Sequence, residues 1–225
     1  RPITITLLLL SSAWAARPLA YLTGSGLAAL HGEPVLLSDL PDMQLTWQQL
    51  APLAAGWIAA LLLQPGLFGR LRRPAWIVAA TVLLAVCHLT FKQLFAIADL
   101  PRFAAFGMAE RTLWQVLLGG FGFLLVWRTP LITAGRVLGW LALAHFVTFT
   151  LLLHDPLWTV QAVGTLPVLN LLLPAYGVAT ALVLWLRPTT PARWMPDAAA
   201  MLLLAVGALS LLRQAFSGTI LLQPL

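Results

Sequence analysis

Long apolar stretches, each almost free of charged residues, follow one another along most of the chain. A helix of about 20 residues crosses the hydrocarbon core of a bilayer, where the backbone must satisfy its own hydrogen bonds. Stretches of this length therefore predict membrane-spanning helices. They cover residues 3–22, 46–64, 75–97, 110–127, 134–153, 167–186 and 198–216. We expect an all-α, polytopic transmembrane helical bundle with about seven spans.

The composition excludes an ordinary soluble domain, because there are too few charges to cover a water-facing surface. Of the 225 residues, 60% are hydrophobic and 9% are charged, against about 45–50% and about 25% in soluble domains. The net charge of +6 comes from basic residues scattered between apolar runs, so we expect no basic face and no nucleic-acid partner.

Motifs for catalysis and for cofactors are absent from the sequence. It contains no nucleophile elbow and no zinc, haem or Walker motif, so we expect no catalytic residue, metal site or cofactor. Gly119, Gly120 and Gly122 lack the strand and Lys of a phosphate-binding loop. They predict instead a close contact between helices.

The loops between the predicted spans alternate in charge. Loops 65–74, 128–136 and 187–197 are rich in Arg, whereas loop 23–45 contains acids and no Lys or Arg. The positive-inside rule makes the Arg-rich loops cytoplasmic and places the N-terminus inside. The loops predicted to be non-cytoplasmic are 23–45, 98–109 and 154–166.

The first stretch has a second interpretation. Arg1 precedes an apolar run, and Ala13-Trp14-Ala15 resembles a small-x-small cleavage site, so residues 1–22 could be a signal sequence. The chain opens at Arg1 rather than Met and stops soon after an apolar segment. We expect it to be a piece of a longer protein.

An internal repeat relates two segments of the chain. Residues 83–95, LLAVCHLTFKQLF, resemble residues 203–216, LLAVGALSLLRQAF, and in both a basic residue and Gln precede a Phe. A unit of four helices would give both copies the same orientation. We predict a parallel four-helix repeat within one transmembrane domain, residues 1–225. Copy one covers about 3–127, and copy two, incomplete, about 134–225.

Three basic residues, Lys92, Arg213 and Arg17, are predicted to lie near the outer edge of the hydrocarbon. Each is roughly 24 Å along its helix from the cytoplasmic end, at 1.5 Å per residue. They could form a cationic rim that receives a phosphate or carboxylate, or they could only snorkel to the headgroups. Glu110 opens the fourth predicted span, where the helix dipole favours a carboxylate. It could also pair with Lys92 or Arg213.

The longest non-cytoplasmic loop, 23–45, carries Glu33, Asp39 and Asp42. A carboxylate there could act as a general base or hold a divalent metal ion. The spacing of the three acids is not that of a metal site, and a solvated acidic loop explains them more simply.

Residues 154–188 and 211–225 resemble the domain of unknown function 2339 family, a group of predicted bacterial multi-pass membrane proteins. Proteins of that family carry recurring segments with a basic residue and a Phe near a helix end, followed by a helix headed by Glu. Two parts of this chain resemble that pattern: Lys92, Gln93 and Phe95 with Glu110 and Trp114, and Arg213, Gln214 and Phe216 with Gly218.

The resemblance covers most of residues 75–225. Residues 111–113 depart from the aromatic and Ser-containing stretch that the family has after its Glu, which weakens the case for a role of Glu110. The resemblance implies a location in the bacterial cytoplasmic (inner) membrane, and it implies no established activity.

These features favour a non-enzymatic, multi-pass protein of the cell envelope. We expect it to contact membrane lipid and to bind or translocate an anionic amphipathic molecule, such as an anionic lipid or a lipid-linked substrate. The predicted ligand-binding residues are Lys92, Gln93, Arg213, Gln214, Glu110 and Arg17. One alternative is a polyprenyl-phosphate-dependent glycosyltransferase-like enzyme that uses the acids of loop 23–45. Another is a purely structural membrane scaffold.

Overall fold

The computed structural model describes residues 2–64, 66–166, 169–192 and 194–217. Within these ranges the chain is helical and contains no β-strand, which confirms the predicted all-α class. The helices are α1 (Pro2–Trp14), α2 (Ala16–Leu30), α3 (Met43–Leu45), α4 (Ala51–Leu63), α5 (Arg72–Phe95), α6 (Leu100–Arg128), α7 (Ile132–His145), α8 (Leu172–Trp185) and α9 (Trp194–Ser217). Two π-helical segments join this set, Thr46–Leu50 before α4 and Phe146–Leu152 after α7.

Three helical segments of the described chain are long and apolar enough to cross a membrane: Gly69–Phe95, Ile132–Leu152 and Trp194–Phe216. The pair α1 and α2 becomes a fourth if it counts as one broken span. These helices fit a membrane protein. The other predicted spans contain the π-helical segment and α4 within 46–64, part of α6 within 110–127, and α8 within 167–186. The total of seven spans stays a prediction.

The break between α1 and α2 bends the pair by 52°. Pro18 lies one turn after Trp14 and has no backbone N–H, so it cannot donate to the Trp14 carbonyl. The lost hydrogen bond accounts for the position of the bend.

The chain forms two compact units, Arg1–Ala98 and Asp99–Leu225. This division falls before α6, whereas the predicted copies divide between residues 127 and 134. The four-helix repeat therefore stays a prediction. In the first unit, Leu50 and Leu53 pack with Val82, Val86 and Leu89 to form the main apolar core.

The core of the second unit lies between α7, α8 and α9, where Phe146, Leu172 and Tyr176 are buried together with Leu203. Helix α6 approaches α7 closely. A Cβ atom added to Gly122 would lie 2.6 Å from the carbonyl oxygen of Gly135, so glycine is required for this approach.

The predicted loop 98–109 is wrong for nearly all its length, because α6 begins at Leu100 rather than at residue 110. The Asp99 carboxylate accepts a hydrogen bond of 2.8 Å from the Arg102 amide and caps the helix, and Pro101 occupies its first turn. Loop 23–45 is also shorter than predicted, since α2 extends to Leu30 and α3 begins at Met43. Residues 154–166 lie outside any helix, as expected.

Candidate functional site

In the first unit, the predicted pair Lys92 and Gln93 lies in the last turn of α5, beside the loop of residues 31–42. Gln93 Nε2 donates to the carbonyl oxygen of Pro41 and, at 3.2 Å, to Oγ1 of Thr46. The amide of Leu37 also donates to the carbonyl of Ile97, at 2.8 Å. Gln93 therefore anchors the 31–42 loop to the end of α5, and half-buried Lys92 lies in the same turn.

In the second unit, the predicted pair Arg213 and Gln214 lies beside the loop between α7 and α8. Its described residues are 153–166 and 169–171, and we call it the 153–171 loop. Gln214 is buried. Its Nε2 donates to the Gly164 carbonyl at 2.8 Å, and its Oε1 accepts from the side-chain Nδ2 of Asn170. Arg213 is exposed, and its Nη1 donates to the carbonyl oxygen of Leu157. The two residues thus hold the 153–171 loop against α9.

Arg17 lies on an exposed face of α2. Its guanidinium carbon is 6.0 Å from the centre of the Tyr21 ring, one turn further along the same helix. The side chain therefore shares its face of the helix with an aromatic residue, an arrangement typical of basic residues near an interface.

Glu110 does not open a helix, in contrast to the prediction. It lies about three turns inside α6 and is 3% exposed. The favourable effect of the helix dipole on a carboxylate is confined to the first turn, so it does not account for this residue. The next residue, Arg111, is 5% exposed, and the charge of Arg111 interacts with that of Glu110.

Arg111 forms the centre of a buried site that sequence reasoning missed. Its Nη2 donates to Oε1 of Gln161 at 3.1 Å and to the carbonyl oxygen of His154 at 3.4 Å. The guanidinium carbon lies 5.3 Å from the centre of the Phe103 ring. A Cβ atom on Gly107 would be 3.1 Å from Nη1, so a glycine one turn earlier leaves room for the arginine.

Asp155 is fully buried and faces the same region from the 153–171 loop. One carboxylate oxygen accepts from the Leu157 amide at 2.8 Å, and the other accepts from the hydroxyl of Tyr176 on α8. Burial raises the pKa of Asp155 above its usual value. The hydrogen bonds from Tyr176 and Leu157 and the charge of Arg111 oppose this increase.

We refer to these side chains as the buried polar cluster, which α6, the 153–171 loop and α8 build together. Helix α6 is further tied to α8 by Gln115, whose Nε2 donates to the Ala175 carbonyl at 3.3 Å. Gly107, Arg111 and Gln115 are spaced four residues apart and therefore share one face of α6. This spacing is the sequence pattern that could have indicated the site. The members of the cluster are Glu110, Arg111, His154, Asp155, Gln161 and Tyr176.

Two acids of the first unit, Asp39 and Asp42, have backbone partners. Asp39 Oδ2 accepts from the Leu36 amide at 3.0 Å, and Asp42 Oδ1 accepts from the Leu45 amide at 2.6 Å, which caps α3. Within the described ranges, no three His, Cys, Asp or Glu residues are grouped so that they could hold a metal ion. These contacts give Asp39 and Asp42 a role in shaping the loop.

Comparison with models of protein families, with curated proteins and with solved structures finds no match to this chain.

Proposed function

We propose that this chain is a multi-pass protein of the bacterial cytoplasmic membrane, related to the domain of unknown function 2339 family, and that it binds an anionic amphipathic molecule. The distribution of Arg residues between loops supports an orientation in which the 31–42 and 153–171 loops face outward. The anionic group is then received at the outer face of the membrane.

The observation that carries the proposal is the position of Arg213 between exposed apolar side chains. Leu209 lies four residues before it and Phe216 three residues after it, so all three share one face of α9. Leu209 and Phe216 are both exposed. A headgroup at Arg213 therefore has an apolar surface beside it for an acyl or polyprenyl chain.

Arg213 is suited to exchange its present partner for a ligand. A guanidinium carries five N–H donors in a planar fork, and one of them here is directed at the Leu157 carbonyl. A phosphate or carboxylate accepts charge-assisted hydrogen bonds that are roughly twice as strong as those to a neutral carbonyl. Lys92, the corresponding residue of the first unit, provides a second, half-buried cation for the same purpose.

Native mass spectrometry of the full chain tests the proposal, with phosphatidylglycerol and phosphatidylcholine as competing probes. We expect wild type to retain phosphatidylglycerol preferentially and Arg213→Ala to lose this preference, while Arg213→Lys keeps part of it. Arg136→Ala removes an exposed arginine from α7 and is the matched control. Equal retention of phosphatidylglycerol by all variants would show that Arg213 only snorkels.

A further inference from the structure

A groove with a volume of about 360 Å³ lies between α1 and α4 in the first unit, and we call it the α1–α4 groove. On α1 the residues that line it are spaced three and four apart, from Thr4 to Ser11, so they share one face of the helix. On α4 they include Gly56 and Ala59, which have little or no side chain and leave the space between the helices open. The walls of the groove are therefore mostly apolar.

The α1–α4 groove opens onto a surface of exposed apolar side chains. Leu7 and Leu63 line the groove and are exposed, and so are Leu10 and Leu62 on the same two helices. Apolar space of this kind stays free of water and takes up apolar ligands. With the first unit in the membrane, as proposed, this surface faces the hydrocarbon, where acyl chains are the material that fills such a groove.

One end of the groove is polar. Gln64 Nε2 donates to Oγ1 of Thr4 at 3.0 Å and so joins α1 to the end of α4. The Leu67 amide donates to the Gln64 carbonyl at 2.9 Å, where the chain turns toward α5. Leu61 in the last turn of α4 packs with Ala75 in the first turn of α5. The polar end of the groove therefore lies on the side of the unit where α5 begins.

Three exposed arginines, Arg70, Arg72 and Arg73, lie on this side of the unit. Arg72 and Arg73 form the first turn of α5, whose helix dipole adds partial positive charge there. The sequence contains no acid from residue 43 to residue 98, and the 31–42 loop, which carries the acids of this unit, is bonded to the other end of α5. The charge beside the polar end of the groove therefore complements an anionic headgroup.

We propose that the first unit binds an anionic phospholipid, with one acyl chain in the α1–α4 groove and the headgroup beside the three arginines. In the proposed orientation this side is cytoplasmic, so the lipid belongs to the leaflet opposite to the one that Arg213 faces. The inference rests on the proposed membrane location of the chain and is independent of a ligand at Arg213.

Photo-cross-linking of the full chain in phosphatidylcholine vesicles tests the groove, with phosphatidylglycerol that carries a diazirine in one acyl chain as the probe. We expect peptide mapping to find the label enriched on the facing sides of α1 and α4 in wild type. Ala59→Leu and Ser11→Leu fill the groove from its two walls, at positions that are exposed and half-buried, and each should lose most of this label. Ala80→Leu makes the same change on an exposed face of α5 and should keep it. Label that is missing there in wild type, or that both groove variants retain, would overturn the proposal.

The headgroup preference is measured with the same diazirine chain on phosphatidylcholine. We expect phosphatidylglycerol to label the groove more strongly in wild type. Arg72→Gln/Arg73→Gln should reduce this preference by about fivefold for each arginine removed, as for basic residues beside an anionic surface. Arg128→Gln/Arg136→Gln removes two exposed arginines from the second unit and should leave the preference unchanged. Equal labelling by the two lipids in wild type would contradict the proposed headgroup site.

The variant Arg213→Ala separates this inference from the ligand proposed for Arg213. It should leave the label on α1 and α4 unchanged, whatever its effect on the retention of lipid in native mass spectra. If Arg213 were needed for that retention but wild type carried no label in the groove, the groove site alone would be wrong. Cross-links at α4 between two copies of the chain would show that a second copy covers the groove, and this result would also overturn the proposal.

Discussion

Gln93 and Gln214 hold the loops of their own units by the same kind of bond. Gln93 Nε2 donates to the Pro41 carbonyl in the first unit, and Gln214 Nε2 donates to the Gly164 carbonyl in the second. Each glutamine follows a basic residue near the end of an apolar helix. In each unit the side-chain amide of the glutamine holds the loop in place, and the basic residue before it, Lys92 or Arg213, lies beside that loop.

Removal of the Gln93 amide should therefore loosen the 31–42 loop. Gln93→Ala loses the hydrogen bonds to Pro41 and Thr46, and we expect the free energy of unfolding to fall by about 1–2 kcal/mol. Thermal unfolding of the detergent-purified protein measures the change. Gln48→Ala, at an exposed position, should have almost no effect. Equal melting temperatures for the two variants would argue against the anchoring role.

The contact between α6 and α7 should not tolerate a methyl group at Gly122. Gly122→Ala puts a Cβ atom against the Gly135 carbonyl, and because the obstacle is backbone we expect a loss of about 1–3 kcal/mol. Gly120→Ala is the matched control, since a Cβ atom there meets nothing within 4 Å. Denaturant unfolding followed by tryptophan fluorescence should separate the two. Equal stability would mean that the helices are farther apart than described.

Arg111 should be among the most sensitive positions of the second unit. Arg111→Ala removes the partner of Gln161 and His154 and the positive charge that interacts with Glu110 and Asp155. Removal of one partner of a buried ion pair costs about 3–5 kcal/mol. We expect poor recovery of folded protein in size-exclusion chromatography. Arg136→Ala, on an exposed face of α7, should behave like wild type. Normal recovery of Arg111→Ala would contradict the buried position of the arginine.

The stability of the protein should depend on the ionisation of Asp155. Burial raises the folded-state pKa above the unfolded value, so the stabilisation by the bound proton is complete below the unfolded pKa, about 3.9, and is lost as the pH rises through the folded pKa. The melting temperature of wild type should therefore fall with rising pH relative to that of Asp155→Asn. A difference between the two proteins that is constant or grows with pH would contradict this.

The helices themselves could be predicted from sequence because apolar length alone identifies them. The start of α6 is harder to predict, because residues 100–109 are only moderately apolar and their composition favours a loop before Glu110. The capping signal was present at Asp99 and Pro101. With the helix predicted to begin at residue 110, Glu110 and Arg111 were expected at the surface, whereas both are buried within α6.

The candidate site was predicted in part. The repeat drew attention to Gln93 and Gln214, but their loop partners are set by tertiary packing. Arg111 and Gln161 are 50 residues apart in sequence, and no local pattern joins them. Asp155 lies in the predicted non-cytoplasmic loop 154–166, and nothing in the local sequence distinguishes its buried carboxylate from that of a loop on the surface.

The length of α8 has a consequence for the surrounding lipid. Its 14 residues span about 21 Å, short of a hydrocarbon core of about 30 Å. The loop before α8 has several groups that bond within the protein, among them the Asp155 carboxylate and the Ala162 amide, as irregular chain beside the hydrocarbon requires. With α8 in the membrane, as proposed, the second unit presents a thin hydrophobic belt on the side of α8. Because hydrophobic mismatch costs free energy, we expect the protein to be more stable in lipid with shorter acyl chains.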